Sequence, residues 1–191
     1  MKKLIITLAL LAFKPAGVSE WKAETYHSKI GFTVTHMMIN EVEGQFDKYE
    51  ISATANKADF TDAKIQFSAE TNSINTGNEM RDKHLKSDDF FNAEKFPKVS
   101  FVSTGIKKLD AKHYKLTGDL TMRDKTKSVT LDMNYNGTVK DMQGAEKAGF
   151  KVAGKINRKD FGLNWSKMVE AGAVVSDNVE INCNVELAKA K

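Results

Sequence analysis

Strict alternation of apolar and polar residues recurs along almost the whole chain after residue 20, and few folds can accommodate it. "KIGFTVTH" places Ile30, Phe32, Val34 and His36 on one face. "AKIQFSAET" groups Ile65, Phe67 and Ala69 against Lys64, Gln66 and Ser68. "KVSFVST" sets Val99 and Phe101 opposite Ser100 and Val102, and "HYKLTGDLTM" sets Tyr114, Leu116, Gly118, Leu120 and Met122 opposite Lys115, Thr117, Asp119 and Thr121. Val129, Leu131, Met133 and Tyr135 share a face, as do Phe150, Val152, Gly154 and Ile156, and then Val179, Ile181, Cys183, Val185 and Leu187. A period of two is the period of a β-strand with one buried face. With "VEGQFDKYEISATA" the count is about eight strands, and a further short one is expected to start at Trp21.

Short polar segments separate these runs. Leu109 to Lys112 and Arg123 to Thr126 read as hairpin loops, and Asn136-Gly137 reads as a turn opening a longer polar loop up to Lys147. One-faced strands in hairpin order form an antiparallel sheet. Left flat, that sheet would keep its apolar face wet and both edges unpaired. Closure into a barrel removes both problems. The spacing therefore predicts an all-β fold, an extended eight-stranded antiparallel barrel. The run over residues 112–122 would span ~36 Å at ~3.3 Å per residue, and a tilt of ~40° makes the tube roughly 28 Å tall. Small inward residues at Gly118, Gly154 and Ala69 leave room inside. Pattern alone leaves two interiors open: a core filled by side chains, or a space for one small ligand.

One stretch breaks the rhythm. "RDKHLKSDDFFNAEKFP", Arg81 to Pro97, carries two adjacent acids, a histidine and three phenylalanines. Upstream, Thr76-x-x-Glu79 has the form of a capping box with Thr76 as N-cap. A helix is expected through Met80 to about Lys86, with Asp82 and Lys86 as an i,i+4 pair. Ser87 then caps a second short helix, whose first turn favours Asp88 and Asp89. Together they make a short helical insertion over about residues 76–92. Phe90, Phe91 and Phe96 are its anchors against the barrel. Adjacent carboxylates on a helix diverge by ~100° and do not face one substrate together, so a structural role suits Asp88 and Asp89 better than catalysis.

The first residues, "MKKLIITLALLAFKPAGVSEW", have the layout of a secretory signal over residues 1–19, leaving one domain over 20–191. The apolar run from Leu4 to Phe13 is shorter than the ~20 residues a bilayer span needs, so no stable membrane span is expected. The location expected after cleavage is the periplasm or the medium. The whole chain has 29 Lys+Arg against 25 Asp+Glu. Residues 1–19 hold three of those lysines and no acid, so the remainder carries 26 against 25. That balance offers no electrostatic pull on nucleic acid. Cys183 is the only cysteine, so no disulfide can form within the chain. In its strand it reads as a small buried apolar residue.

Motifs for chemistry are sparse. No G-x-S-x-G, P-loop or G-x-G-x-x-G occurs, and His27, His36 and His84 fit no H-E-x-x-H spacing. No metal site and no cofactor is expected. Three functional classes stay open on the residues alone: a carrier of an apolar ligand, an exported metal-dependent enzyme, or a stress-related interaction module without a ligand.

"RDKHLKSDDFFNAEKFPKVSF" closely resembles the central motif of the YceI-like family of exported bacterial proteins. "HSKIGFTVTHMM", "VEGQF", "SINTGNEMRDKHL", "LTGDLTMRDKTKSV" and "INRKDFGL" are similar to the family's other blocks, in order, from about Trp21 to Leu187. The resemblance implies a lipocalin-like extended barrel with a helical insertion. It implies a binding protein and not an enzyme, one that holds a polyisoprenoid or similar long-chain lipid in a central tunnel. It also admits a homodimer. By position, His27, Ser28, Phe32 and His36 match the early motif; Arg81, Asp82, His84, Leu85, Phe90, Phe91 and Pro97 match the central one; Gly118, Leu120, Arg158, Asp160, Phe161 and Gly162 match the later ones. Met37-Met38 and "GLNWSKMVEAGAVVSD" are variable parts, so the ligand's identity does not transfer. On closure, the apolar faces predict a tunnel lined by Phe32, Val34, Ile65, Phe67, Phe101, Leu116, Gly118, Leu120, Leu131, Phe150, Val152 and Ile181. His27, His36, Arg81, His84 and Arg158 are expected near its polar ends.

Overall fold

Strand β13 (Val175–Lys189) is the seam that closes the sheet. In the computed structural model, which describes residues 18–170 and 172–190, one edge of β13 pairs with β10 (Glu146–Asn157) from Lys147↔Ala188 to Asn157↔Asn178. Its other edge pairs with β2 (Lys29–His36), as at Ile30↔Cys183, and further along with β1 (Ser19–Ala23), as at Trp21↔Lys189. The remaining strands are β3 (Asn40–Phe46), β4 (Tyr49–Ala55), β5 (Lys64–Glu70), β6 (Ile74–Asn75), β7 (Lys98–Lys108), β8 (His113–Met122) and β9 (Lys125–Lys140). A two-residue pair, β11 (Met168–Val169) and β12 (Gly172–Ala173), stands apart.

All the sheet pairings are antiparallel, and they close an eight-stave barrel. The first three staves are broken. β1 and β2 share one stave, interrupted by a 3-10 turn at Thr25–His27. β3 and β4 share the next, so "VEGQFDKYEISATA" is two strands rather than one. β5 and β6 share the third, interrupted by a 3-10 turn at Thr71–Ser73. The expected closed all-β barrel is thus present, with its early staves bent. Of the expected signal segment, residues 1–17 lie outside the described residues; Ser19 pairs with Ala55.

Asn136-Gly137 is not a turn. β9 continues through it to Lys140, pairing Gly137 with Gly149 and Tyr135 with Phe150, so Asn136 is an extra residue in a bulge. Gly137 takes a φ of 120°, which a residue without Cβ adopts freely. The turn lies further on, where the Asp141 carboxylate accepts the amides of Gln143 and Ala145, each at 2.9 Å.

The insertion is half of what the sequence predicts. α1 (Glu79–Lys86) forms, but its N-cap is Asn78, whose side-chain oxygen accepts the Arg81 amide at 3.0 Å. Thr76 lies outside the first turn, where its hydroxyl meets the Asp82 carboxylate at 2.6 Å. Asp82 is therefore turned toward Thr76 rather than toward Lys86. No second helix follows Ser87. Its hydroxyl donates back to the His84 carbonyl at 2.7 Å, and Asn92, at φ 47°, cannot continue a right-handed helix. Residues 87–96 instead run as consecutive turns, tied by Phe91 N–H to Leu85 O and Asn92 N–H to Ser87 O.

Arg123 fastens this segment to the barrel. It stands in the β8–β9 turn with φ 54°, and its Nη1 donates to the carbonyls of Phe90 at 2.9 Å and Gly162 at 3.1 Å. Its guanidinium also lies over the Phe96 ring, 5.6 Å from the centroid. Nothing in the polar hairpin pattern of residues 123–126 signals that role. α1 and its turns therefore cover the barrel end that also holds the β2–β3 turn and Arg158.

Candidate ligand-binding cavity

The inward faces of the staves enclose a cavity of about 660 Å³. Side-chain-filled barrels leave no such space, and ligand pockets generally occupy ~300–1,000 Å³. Of the two interiors left open by pattern, the structure has the second.

Phe32, Val34, Ile65, Phe67, Phe101, Leu116, Leu120, Leu131, Phe150, Val152 and Ile181 all line it. Each faces inward because its neighbours in sequence face outward, and closure leaves nowhere else for the apolar face. Gly118 is the exception among the predicted lining residues. A Cβ built on it would stand 2.3 Å from Phe101 Cζ and 2.5 Å from the Val102 carbonyl oxygen. The Phe101 ring covers Gly118, so the glycine makes room for a ring and not for a ligand.

The cavity has a floor. Phe60, in the loop between β4 and β5, is only 3% exposed and lines the cavity. Its ring packs against Trp21 at 5.1 Å, Phe150 at 5.1 Å and Tyr135 at 5.6 Å between centroids. A lone aromatic in the polar loop "NKADFTDAK" is the only sequence signal for this floor. Ile51, Ala53, Ala63 and Met133 also line the cavity. The first three come from strands and loops whose inward face was not resolved by reading one strand at a time.

The mouth lies at the opposite end, beside α1. Met80 lines the cavity and is still 83% exposed. His36, Thr76, Asn78, Arg81, His84 and Arg158 are lining residues too, so the polar groups gather at this end rather than at both. Arg81 is held by Thr76, with Nε donating to Oγ1 at 2.7 Å and Nη2 to the carbonyl at 2.8 Å. His84 Nε2 meets the Asp89 carboxylate at 2.8 Å, and its ring stands edge-on to Phe90 and Trp165. Asp89 thus has a partner across a turn rather than a place in a helix. Trp165 comes from the variable segment after Phe161 and reaches the mouth through this contact.

Arg158 is a scaffold residue. It is 3% exposed, and it donates to the carbonyls of Ser176 at 3.0 Å, Trp165 at 2.8 Å and Leu163, and to the Asp177 carboxylate at 3.1 Å. Burial lowers its pKa, and the nearby Asp177 opposes that shift. The fork geometry of guanidinium lets one side chain satisfy several carbonyls of the 158–176 connection at once.

His27 does not line the cavity. It sits in the 3-10 turn between β1 and β2, its side chain is 68% exposed, and Nδ1 lies 3.7 Å from a Glu186 carboxylate oxygen. The break in the first stave moves it off the inward face. Cys183 lines the cavity, where burial pushes its thiol up to about 11. At neutral pH such a thiol is protonated and a poor nucleophile. Among the described residues, no group of three or more His, Cys, Asp or Glu could hold a metal ion. None of the helices there is long and apolar enough to cross a membrane.

An apolar chamber with a closed aromatic floor and one polar mouth suits an amphiphile. The sequence from residue 21 to 187 matches the YceI-like domain. The chain belongs to the YceI-like family. A UPF0312 protein of Staphylococcus aureus (strain MSSA476) is 37% identical to it over 150 residues, which is 78% of this chain and 85% of that one. The crystal structure of the Campylobacter jejuni YceI protein superposes with a TM-score of 0.73 at 29% identity, covering 100% of both chains. A domain from Saccharophagus degradans, described as polyisoprenoid-binding, shares the fold of this YceI-like protein at a TM-score of 0.64 and 15% identity, over 89% of this chain and 98% of that one.

Proposed function

We infer that this YceI-like protein binds a long-chain amphiphilic lipid, a polyisoprenoid or a similar molecule, and carries or stores it in the periplasm or outside the cell. The apolar chain lies in the barrel and the polar head stays at the mouth beside α1. The observation that carries this reading is the 660 Å³ cavity with apolar walls, an aromatic floor and a single polar mouth. The Saccharophagus degradans domain, described as polyisoprenoid-binding, has the same fold, which agrees with the reading. Export rests on the layout of residues 1–19. A monomer and a homodimer serve the reading equally.

The energetics say where selectivity comes from. Moving ~20 methylenes from water would release on the order of 16 kcal/mol at ~0.8 kcal/mol each, close to the practical ceiling of ~18–21 kcal/mol. A membrane lipid starts in a bilayer, where that gain is already made. Discrimination must then come from cavity shape and from the polar groups at the mouth.

Extraction of the protein purified from its native compartment, followed by lipid mass spectrometry, tests the reading. A defined long-chain lipid near one per protein is expected. Protein that is reproducibly lipid-free, and that takes up no lipid from vesicles, overturns it.

A further inference from the structure

We propose that Phe60 sets the length of chain the cavity accepts. The proposal rests on the carrier reading and goes further, because it assigns a specificity-determining residue to the end of the cavity remote from the polar groups.

Phe60 carries an unusual backbone. Its φ is 57°, a left-handed conformation that a bulky residue rarely adopts. Such strain persists only where the surroundings over-determine it, and it concentrates at ligand clamps. Here the surroundings do so. The Asp62 carboxylate accepts the amides of Asn56 at 3.0 Å and Lys57 at 3.1 Å. The Phe60 amide donates to Lys57 O, and the Phe60 carbonyl accepts the Ala63 amide, both at 3.1 Å. Lys108 reaches over from β7 to Asp59 at 2.9 Å, which ties the loop to the stave next to β5.

The result is a ring pushed inward from a loop. A loop that only bridged β4 and β5 would have no need of a buried phenylalanine at a disfavoured φ. Walls built from strands cannot move without breaking the sheet, but a floor built from one loop side chain can change depth by substitution alone. A chain entering tail-first meets Phe60 when its head reaches the mouth. Each further unit would leave part of the molecule in water and add nothing to binding.

A ladder of isoprenyl alcohols differing by one unit, titrated into the delipidated protein, tests this. In the wild type, affinity should rise with each added unit, on the order of a hundredfold or more for full burial from water, and then stop rising at one length. Phe60→Gly suits the left-handed φ and removes the ring, so it should fold and move that break outward by about one unit. Phe60→Leu, which keeps part of the floor, should tighten only the first member beyond the break. Phe91→Ala removes the same ring from the mouth end and should leave the break where it was. Folding of each variant is checked by its thermal transition.

A break that stays put in both Phe60 variants overturns the proposal. So does a wild-type affinity that climbs without a break, or an equal shift in Phe91→Ala. If no member of the ladder binds the wild type, the carrier reading itself fails. Those outcomes are distinct, because the first three all require measurable binding.

Discussion

The Phe101 ring occupies the space above Gly118, with Cζ only 2.3 Å from where a Cβ on that residue would be. The two lie on adjacent strands, β7 and β8, and the large residue on one fits the missing side chain on the other. Gly118→Ala must therefore displace Phe101, and it also meets the Val102 carbonyl oxygen at 2.5 Å, which cannot swing aside. A loss of ~1–3 kcal/mol is expected from overpacking, read as a lower urea midpoint. Thr117→Ala, one residue away and outward, removes only the exposed contact with Thr130 and should stay within ~0.5 kcal/mol. Equal midpoints for Gly118→Ala and the wild type would show that Phe101 is not seated on Gly118.

Asn78 and Thr76 divide the work that one capping residue was expected to do. Asn78→Ala should cost ~1 kcal/mol by leaving the Arg81 amide without its acceptor. Asn78→Asp keeps the acceptor and adds charge at the helix N-terminus, so it should be neutral or slightly stabilising. Thermal unfolding of the pair decides this. Comparable losses in both variants would mean that the cap contact contributes nothing.

The strand faces were legible because alternation is a strong local signal and closure follows from it. Eleven inward residues could be named on that basis, from Phe32 to Ile181. Other features depend on contacts between distant segments, which no local pattern encodes. Gly118 looked like open space because its partner, Phe101, is on another strand. His27 shares the early motif with His36, yet a 3-10 turn separates it from the face that His36 occupies. Arg123 and Phe60 both sit in loops that read as ordinary polar connections, and each owes its role to a left-handed φ that sequence does not announce. Asn136-Gly137 is the opposite case: a strong turn signal was overridden by ladder pairing on both sides of a bulge.

Cys183 reports on whether the barrel wall opens. Its thiol is pushed up to about 11 by burial, so below that value the reactive thiolate is scarce. Labelling by a maleimide at neutral pH should be slow in the folded protein and fast in urea. Its rate should follow the fold's stability across urea concentrations, because Cys183 lies mid-strand, paired with Ile30 on one side and Val152 on the other. Rapid labelling of the folded protein would mean that reagent reaches the thiol through the cavity.

Asp59 links pH to the floor of the cavity. Its hydrogen bond from Lys108 is the largest of the effects that hold its carboxyl at about 2, below the ordinary 3.8. A depressed carboxylate contributes stability that is complete above the ordinary value and is lost as pH falls through the folded value. The loop's Asp59–Lys108 tie should therefore hold at pH 5 and loosen between about 4 and 2. The same tie raises the pKa of Lys108 above 10.5, so its contribution is complete below that value and is lost as pH rises through the raised one. Asp59→Asn removes that residue's share of the acid-side dependence and keeps its size; Asp62, whose carboxyl is raised by burial but lowered on balance by the Lys57 and Asn56 amides, keeps its own share. Hydrogen exchange of the 56–63 amides, followed from pH 5 to 2 and corrected for the intrinsic exchange rate, should show a loss of protection in the wild type. In Asp59→Asn, protection should be lower at pH 5 and flatter with pH. A wild-type loop whose protection does not change over that window would rule out the tie as what holds Phe60 in place.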